Sequence, residues 1–181
     1  MVEKTDNAVS DAAGIAAAAS HAAKKGPPPV DKWNPPFCGN LDMEIRADGS
    51  WFYNGTPIGR PEMVRLFASI LKREGNDYFL VTPVEKVGIR VVDAPFVAVD
   101  ADIGETIGFT TNVGDRVTAS PEHAIELRGS AEEPRPYVHV RRGLWALIDR
   151  KTFYRLADAA MPGKNGRMEV QSGGTVFPLE P

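Results

Sequence analysis

The chain has a single cysteine, Cys38, in 181 residues, so no disulfide can form within it, and its three histidines, His21, His123 and His139, stand far apart. With no His-x3-His or Cys-x2-Cys pair, there is no ligand set for a structural zinc or iron site. Absent too are the Gly-x-Ser-x-Gly elbow, the Gly-x4-Gly-Lys phosphate loop and the Gly-x-Gly-x2-Gly fingerprint, which mark the commonest hydrolases, nucleotidases and dinucleotide enzymes. No run approaches the ~18 apolar residues of a membrane span. The Ala-rich stretch 11–21 lacks the basic flank of a signal peptide. A cytoplasmic protein without metal or cofactor is expected. The net charge of −3 gives no whole-molecule attraction to nucleic acid or to an anionic membrane, so any polyanion site has to be local.

What is present is globular in proportion, with 43% hydrophobic and 25% charged residues. The 17 glycines and 15 prolines exceed the roughly 22 that average usage gives this length, which points to turns and argues against a helix bundle. Ser10 or Asp11 can cap a short surface helix that Gly26 and Pro27-Pro28-Pro29 stop. Trp33 to Gly39 should run extended, pinned by Trp33 and Phe37. Leu41 to Arg46 alternates apolar with polar, Asp48-Gly49 supplies a turn, and Trp51-Phe52-Tyr53 resumes a strand ending at Asn54-Gly55. After Pro61, the spacing of Met63, Val64, Phe67, Ile70 and Leu71 predicts a helix that Gly75-Asn76 ends. Short strand signals follow from Tyr78 to Ile148. Asp149 then caps a second helix with Phe153, Leu156, Ala157 and Ala160 on its apolar face, and a hairpin over 167–179 closes the chain.

Ile58-x-Arg60-x4-Arg65-Leu66 recurs ninety positions later as Ile148-x-Arg150-x4-Arg155-Leu156. The echo suggests a duplicated strand-strand-helix-strand unit with Arg60 and Arg150 in equivalent places. Charge is also unevenly spread: residues 85–133 hold 4 basic and 10 acidic side chains, whereas 134–167 hold 8 and 2. Either the two blocks face each other within the fold, or Arg141, Arg142, Arg150, Lys151 and Arg155 form part of an anion pocket. Thr82-Pro83-Val84-Glu85-Lys86 places a hydroxyl, a carboxylate and an ammonium within five residues. Pro83 argues there for an edge strand or a bulge. Cys38 reads as a buried, inert thiol and His139 as structural or solvent-facing.

Pro35-Pro36-Phe37-Cys38-Gly39, Asp48-Gly49-x-Trp51-x-Tyr53, Pro57-Ile58-x-Arg60, Leu66 to Leu71, Thr82 to Lys86, Ala94-Pro95-Phe96 and Thr110-x-Asn112 together resemble the bacterial domain of unknown function 1285 family, from about Trp33 to the C-terminus. The resemblance implies an α+β fold of two β-rich halves with a duplicated motif, the C-terminal half similar to a pleckstrin-homology-like barrel with a helix. It also implies a nucleotide-like ligand at the interface of the halves, a signalling role and no catalytic residues. The expected organisation is an arm and Pro-rich linker over 1–32, an α+β subdomain over 33–80 and a β-rich subdomain over 81–181. The chain therefore reads as a binding module for a small anionic ligand. Trp51, Arg60, Thr82, Glu85, Lys86, Asn112 and Arg150 are the candidate site residues, with Trp51 or Trp33 as a stacking face. Two alternatives are a protein-interaction module docking its aromatic, Pro-rich arm on a partner or a second copy of the chain, and a hydrolase with Glu85 as base. Nucleic acid is not expected as a primary partner.

Overall fold

Asp11 Oδ1 accepts the Gly14 N–H at 2.9 Å and starts α1 (Ala12–Ala23), which its alanines propagate. Ser10, the alternative cap, lies outside the residues described, which run from 11 to 180 in this computed structural model. These residues divide into two units, one up to residue 93 and one from residue 94. In the first, α1 packs on α2 (Pro61–Ser69) and buries Ile15, Ala16 and Ala19, so the Ala-rich segment belongs to a core and is not a free surface helix. Val30, in a single 3-10 turn after the prolines, is buried as well.

Two three-stranded meanders make the first sheet. β1 (Phe37–Ile45), β2 (Trp51–Tyr53) and β3 (Thr56–Pro57) precede α2, and β4 (Leu71–Glu74), β5 (Asp77–Val81) and β6 (Lys86–Val91) follow it. Asn54 and Gly55 both have positive φ, as the tight turn between β2 and β3 demands. β1 lies parallel to β6, giving the order β3-β2-β1-β6-β5-β4. The expected division at 80/81 falls within β5. The helix does not continue to Gly75 as its periodicity predicts. It ends at Ser69, because Leu71 enters the sheet opposite Leu80, where pairing with β5 buries both side chains. Tertiary pairing thus overrides the helical spacing of Ile70 and Leu71.

The second unit repeats this sheet order without the intervening helix. β7 (Phe96–Ile103), β8 (Ile107–Thr111), β9 (Arg116–Thr118), β10 (Ile125–Gly129), β11 (Pro134–Arg141) and β12 (Leu144–Ile148) form the order β10-β11-β12-β7-β8-β9. β12 is parallel to β7, as β6 is to β1. α3 (Arg150–Ala159) comes after the sixth strand, with Asp149 accepting the Thr152 N–H at 3.0 Å. Thr152 and Leu156 form its buried face, while Ala157, expected there, is exposed. β13 (Met161–Pro162), β14 (Met168–Ser172) and β15 (Thr175–Pro178) make a small third sheet. Ser172 ties it to the larger one, donating to Ala119 O at 2.8 Å and accepting the Ile107 N–H at 2.9 Å.

The fold is thus α+β with two six-stranded sheets, and what recurs is the sheet order. The expected strand-strand-helix-strand order is met in both halves, as β2-β3-α2-β4 and β11-β12-α3-β13, but the two stretches are not equivalent parts of their sheets. α2 sits between the third and fourth strands of its unit, and α3 follows the sixth. The helix starts are also out of register by one residue, since Arg60 is the N-cap of α2 whereas Arg150 is the first helical residue of α3. The shared Arg and Leu positions reflect two amphipathic helices, not equivalent places in a repeat.

One face of the first sheet carries Met43, Ile45, Trp51, Leu71, Leu80 and Val87, all buried, with Phe67 of α2 stacked on Trp51 at 6.2 Å between ring centroids. Phe67→Ala should cost about 3–5 kcal/mol in urea unfolding, because the ring is buried and its cavity opens against the sheet. Tyr154→Ala, at an exposed position on α3, should change stability by no more than about 0.5 kcal/mol.

Candidate functional site

The other face of the first sheet is polar and aromatic. Ladder register brings Lys72, Phe79, Gly88 and Asn40 into one row across β4, β5, β6 and β1. Phe37 stands opposite Lys86 and Glu44 opposite Arg90. Along β6, Lys86, Gly88 and Arg90 share this face, since side chains alternate along a strand. A cleft of about 560 Å³ opens here, lined by Phe37, Asn40, Phe79, Lys86, Gly88 and Arg90, with Asn76 and Asp77 among its other residues. That size suits a small molecule.

Each side chain is placed by a physical constraint. Gly88 is in ordinary strand conformation, and its missing side chain leaves the room that Asn40 fills: a Cβ there would lie 2.2 Å from Asn40 Oδ1, the movable end of that side chain. The Asn40 amide therefore lies over the glycine backbone. Phe37, 54% exposed, meets Phe79 edge to face at 5.9 Å. The Lys86 ammonium sits 4.8 Å from the centre of the Phe79 ring and 3.1 Å from Glu74 Oε2. Arg90 bonds Asp42 at 2.8 Å and reaches Glu44 at 3.5 Å, and the Asp42 hydrogen bond raises its pKa above the ordinary value. Cys38 is partly exposed rather than buried, and donates to Pro36 O at 3.3 Å.

The candidate residues separate by role. Thr82, Glu85 and Lys86 share one turn, which joins two interior strands, so Pro83 marks neither an edge strand nor a bulge. The buried Thr82 hydroxyl accepts the Glu85 N–H at 3.1 Å, and its backbone N–H donates to Glu85 O at 2.9 Å, so its polar groups close the turn. Only Lys86 of these three lines the cleft. Trp51 is 2% exposed with its ring against Phe67, and so packs the core. Arg60 is an exposed N-cap and does not line the cleft. In the second unit, Asn112 Oδ1 accepts the Val97 N–H at 3.0 Å and its own N–H donates to Val97 O at 2.8 Å, a clamp between strands. Arg150 is exposed at the start of α3.

The acidic and basic blocks answer each other within the second unit. Arg155 reaches Asp100 and Arg141 reaches Asp115, each at 2.6 Å, and Lys151 donates to Val99 O and to Asp149. The Asp100 carboxyl is held below its ordinary value by the Ala101 N–H and then by Arg155. Arg141, Lys151 and Arg155, all grouped above as part of an anion pocket, are thus engaged in internal bonds. His139 is structural: Nδ1 donates to Glu122 O at 2.9 Å while Nε2 accepts the Gly143 N–H at 3.0 Å, which fixes its tautomer. Among the described residues, no group of three His, Cys, Asp or Glu is placed to hold a metal ion, and no helix is long and apolar enough to cross a membrane.

Sequence reasoning missed Asn40, Phe79, Gly88 and Arg90. The available signal was the glycine inside Lys86-Val87-Gly88-Ile89-Arg90, because a strand-interior glycine marks close approach by another group. The Lys86 hydrogen bond holds the Glu74 carboxyl below its ordinary 4.5, with Lys72 adding to the effect. A depressed carboxyl contributes stability above pH 4.5 that disappears as the pH falls through the folded value. In Lys86→Met, the Glu74 carboxyl should titrate closer to 4.5 by carbon-detected NMR. The stability difference from wild type should be small, no more than ~1 kcal/mol, and should vanish in acid.

Residues 28–94 match the family described as Domain of unknown function (DUF1285), N-terminal domain, and residues 95–179 match Protein of unknown function (DUF1285), C-terminal domain. The crystal structure of a DUF1285 family protein from Silicibacter pomeroyi DSS-3 is similar at 54% identity and a TM-score of 0.85, over 94% of this chain and 96% of that one. That of a DUF1285 family protein from Shewanella baltica OS155 is similar at 31% identity and a TM-score of 0.54, over 65% of this chain and 91% of that one. No curated protein matches. The junction between the two matched domains falls one residue from the division between the two structural units. Matched by both domains in order along residues 28–179, the chain belongs to the DUF1285 family.

Proposed function

We propose that the first unit binds a small anionic, ring-containing ligand of nucleotide-like character in the cleft over Gly88, and that the protein is a binding module of a signalling or regulatory kind. The observation that carries this reading is the Asn40 amide laid on the Gly88 backbone beside the edge-to-face pair Phe37 and Phe79, with Lys86 and Arg90 at the same cleft. Aromatic side chains offer faces and edges to a planar ring, the amide offers both a donor and an acceptor, and the two cations suit an acidic group. The lining holds no serine, cysteine or histidine, and Glu85 is not part of it, which supports binding over hydrolysis. We further read the second unit, a six-stranded sheet followed by α3, as a pleckstrin-homology-like module.

Calorimetric titration with AMP and with indole-3-carboxylate tests the site. Wild type should bind at least one of them. Lys86→Met should weaken that binding about 10- to 100-fold, the worth of a charge-assisted hydrogen bond. Gly88→Val, which drives the Asn40 amide into the cleft while keeping a residue that strands favour, should abolish binding with the circular dichroism spectrum unchanged. Binding by neither ligand, or equal binding by all three proteins, would sink the proposal.

A further inference from the structure

The charges around the cleft limit how much negative charge a ligand can bring. Four cations stand on this face, Arg46, Lys72, Lys86 and Arg90, against four carboxylates, Asp42, Glu44, Glu74 and Asp77. Lys86 is shared with Glu74, which Lys72 also reaches at 3.5 Å, and Arg90 is shared between Asp42 and Glu44. No cation at the cleft is thus without a carboxylate already beside it, and the face as a whole carries no excess of positive charge. A site built for a polyphosphate has the opposite balance, with several cations or a row of backbone N–H groups converging on the phosphates.

From this balance we infer that the cleft selects a planar aromatic ligand bearing a single acidic group, a ring carboxylate or a phosphate monoester, and discriminates against di- and triphosphates. The inference rests on the binding reading above and deepens it. One acidic group can take the Lys86 ammonium from Glu74, exchanging one charge-assisted bond for another. The ring is meanwhile held by Phe37, Phe79 and the Asn40 amide. Each further phosphate adds negative charge opposite Glu74, Asp77, Asp42 and Glu44, and like charges a few ångströms apart repel. Selectivity then comes from the carboxylates around the cleft as much as from its cations.

The experiment is a charge ladder on one ring, adenosine, AMP, ADP and ATP, with indole-3-carboxylate alongside, each titrated calorimetrically into the full chain at fixed ionic strength without added divalent metal. AMP or indole-3-carboxylate should bind best, and adenosine should bind more weakly than AMP. ATP should be at least 10-fold weaker than AMP, with ADP between them. Glu74→Gln should narrow the gap between AMP and ATP, because it removes one of the repelling carboxylates. Affinity that rises or stays level from AMP to ATP would overturn the single-charge inference and leave the binding reading standing. No binding by any of the five would overturn both. Preference for AMP over indole-3-carboxylate, or the reverse, identifies which acidic group the cleft takes.

Discussion

The parallel pairing of β1 with β6 is the constraint on which the first unit and its cleft depend. Each meander is local, made of strands joined by short turns, and such hairpins need little chain closure to form. The seam is not local: it sets Phe37 beside Lys86, Asn40 beside Gly88 and Glu44 beside Arg90, pairs nearly fifty positions apart. It is also irregular, with register shifts on either side of Asn40. The cleft has contributions from both sides of it, Phe37 and Asn40 from the first meander and Phe79, Lys86, Gly88 and Arg90 from the second. Neither meander alone lines the cleft. In the second unit β7 and β12 form the same kind of seam, Phe96 to Ala98 against Ala146 to Ile148, so the long-range step that closes each sheet is the feature the two halves share.

What was legible in the sequence follows from the range of the interactions. The β1–β2 hairpin could be read from alternation and Asp48-Gly49, and the start of α3 from Asp149, because those signals lie within a few residues of the structure they specify. The end of α2 could not. Ile70 and Leu71 fit a helical stripe equally well, and only the chance to bury Leu71 against Leu80 decides for a strand. The apparent ninety-residue repeat misled for a related reason, since an Arg and a Leu at helical spacing recur wherever a helix has one wet and one dry side. The sheet order that does recur leaves no such trace, because alternating strands need only be apolar on one face. For the candidate site, Lys86 was legible as part of a dense polar turn. Trp51 and Thr82 were rare or polar enough to look functional but are used by the core and by the turn.

Block charge carries a similar lesson. The acidic stretch 85–133 and the basic stretch after it left open either mutual pairing or an anion pocket, and Asp100 with Arg155 and Asp115 with Arg141 do pair within one unit. Pairs as exposed as Asp100 with Arg155 contribute little to stability, and their main effect is to leave no concentrated positive field. The first unit shows pairs of the same kind, Lys86 with Glu74 and Arg90 with Asp42, but on a concave face beside aromatic rings. Under the proposed function the pairing has a different consequence there, because a ligand would compete with the carboxylate for the cation and the exchange would set a ceiling on the charge it could bring.

Three local choices at the cleft oppose stability. A glycine interior to a strand costs roughly 0.5–1 kcal/mol against alanine, Phe37 stands half exposed at the start of its strand, and Asn40 is a poor strand residue. Any one of them alone would be unremarkable in a sheet of this size. Their convergence within one row and its neighbour is not required by the fold, since the buried face beneath them, with Met43, Leu80 and Val87, is regular and well packed. A sheet selected for stability alone would place a β-branched residue at 88 and move the Asn40 amide into water. Sequences depart from local preference together, at one place, where the departure has a use, and the shape it leaves here is a polar floor beside two touching aromatic rings, with shared cations at its edge.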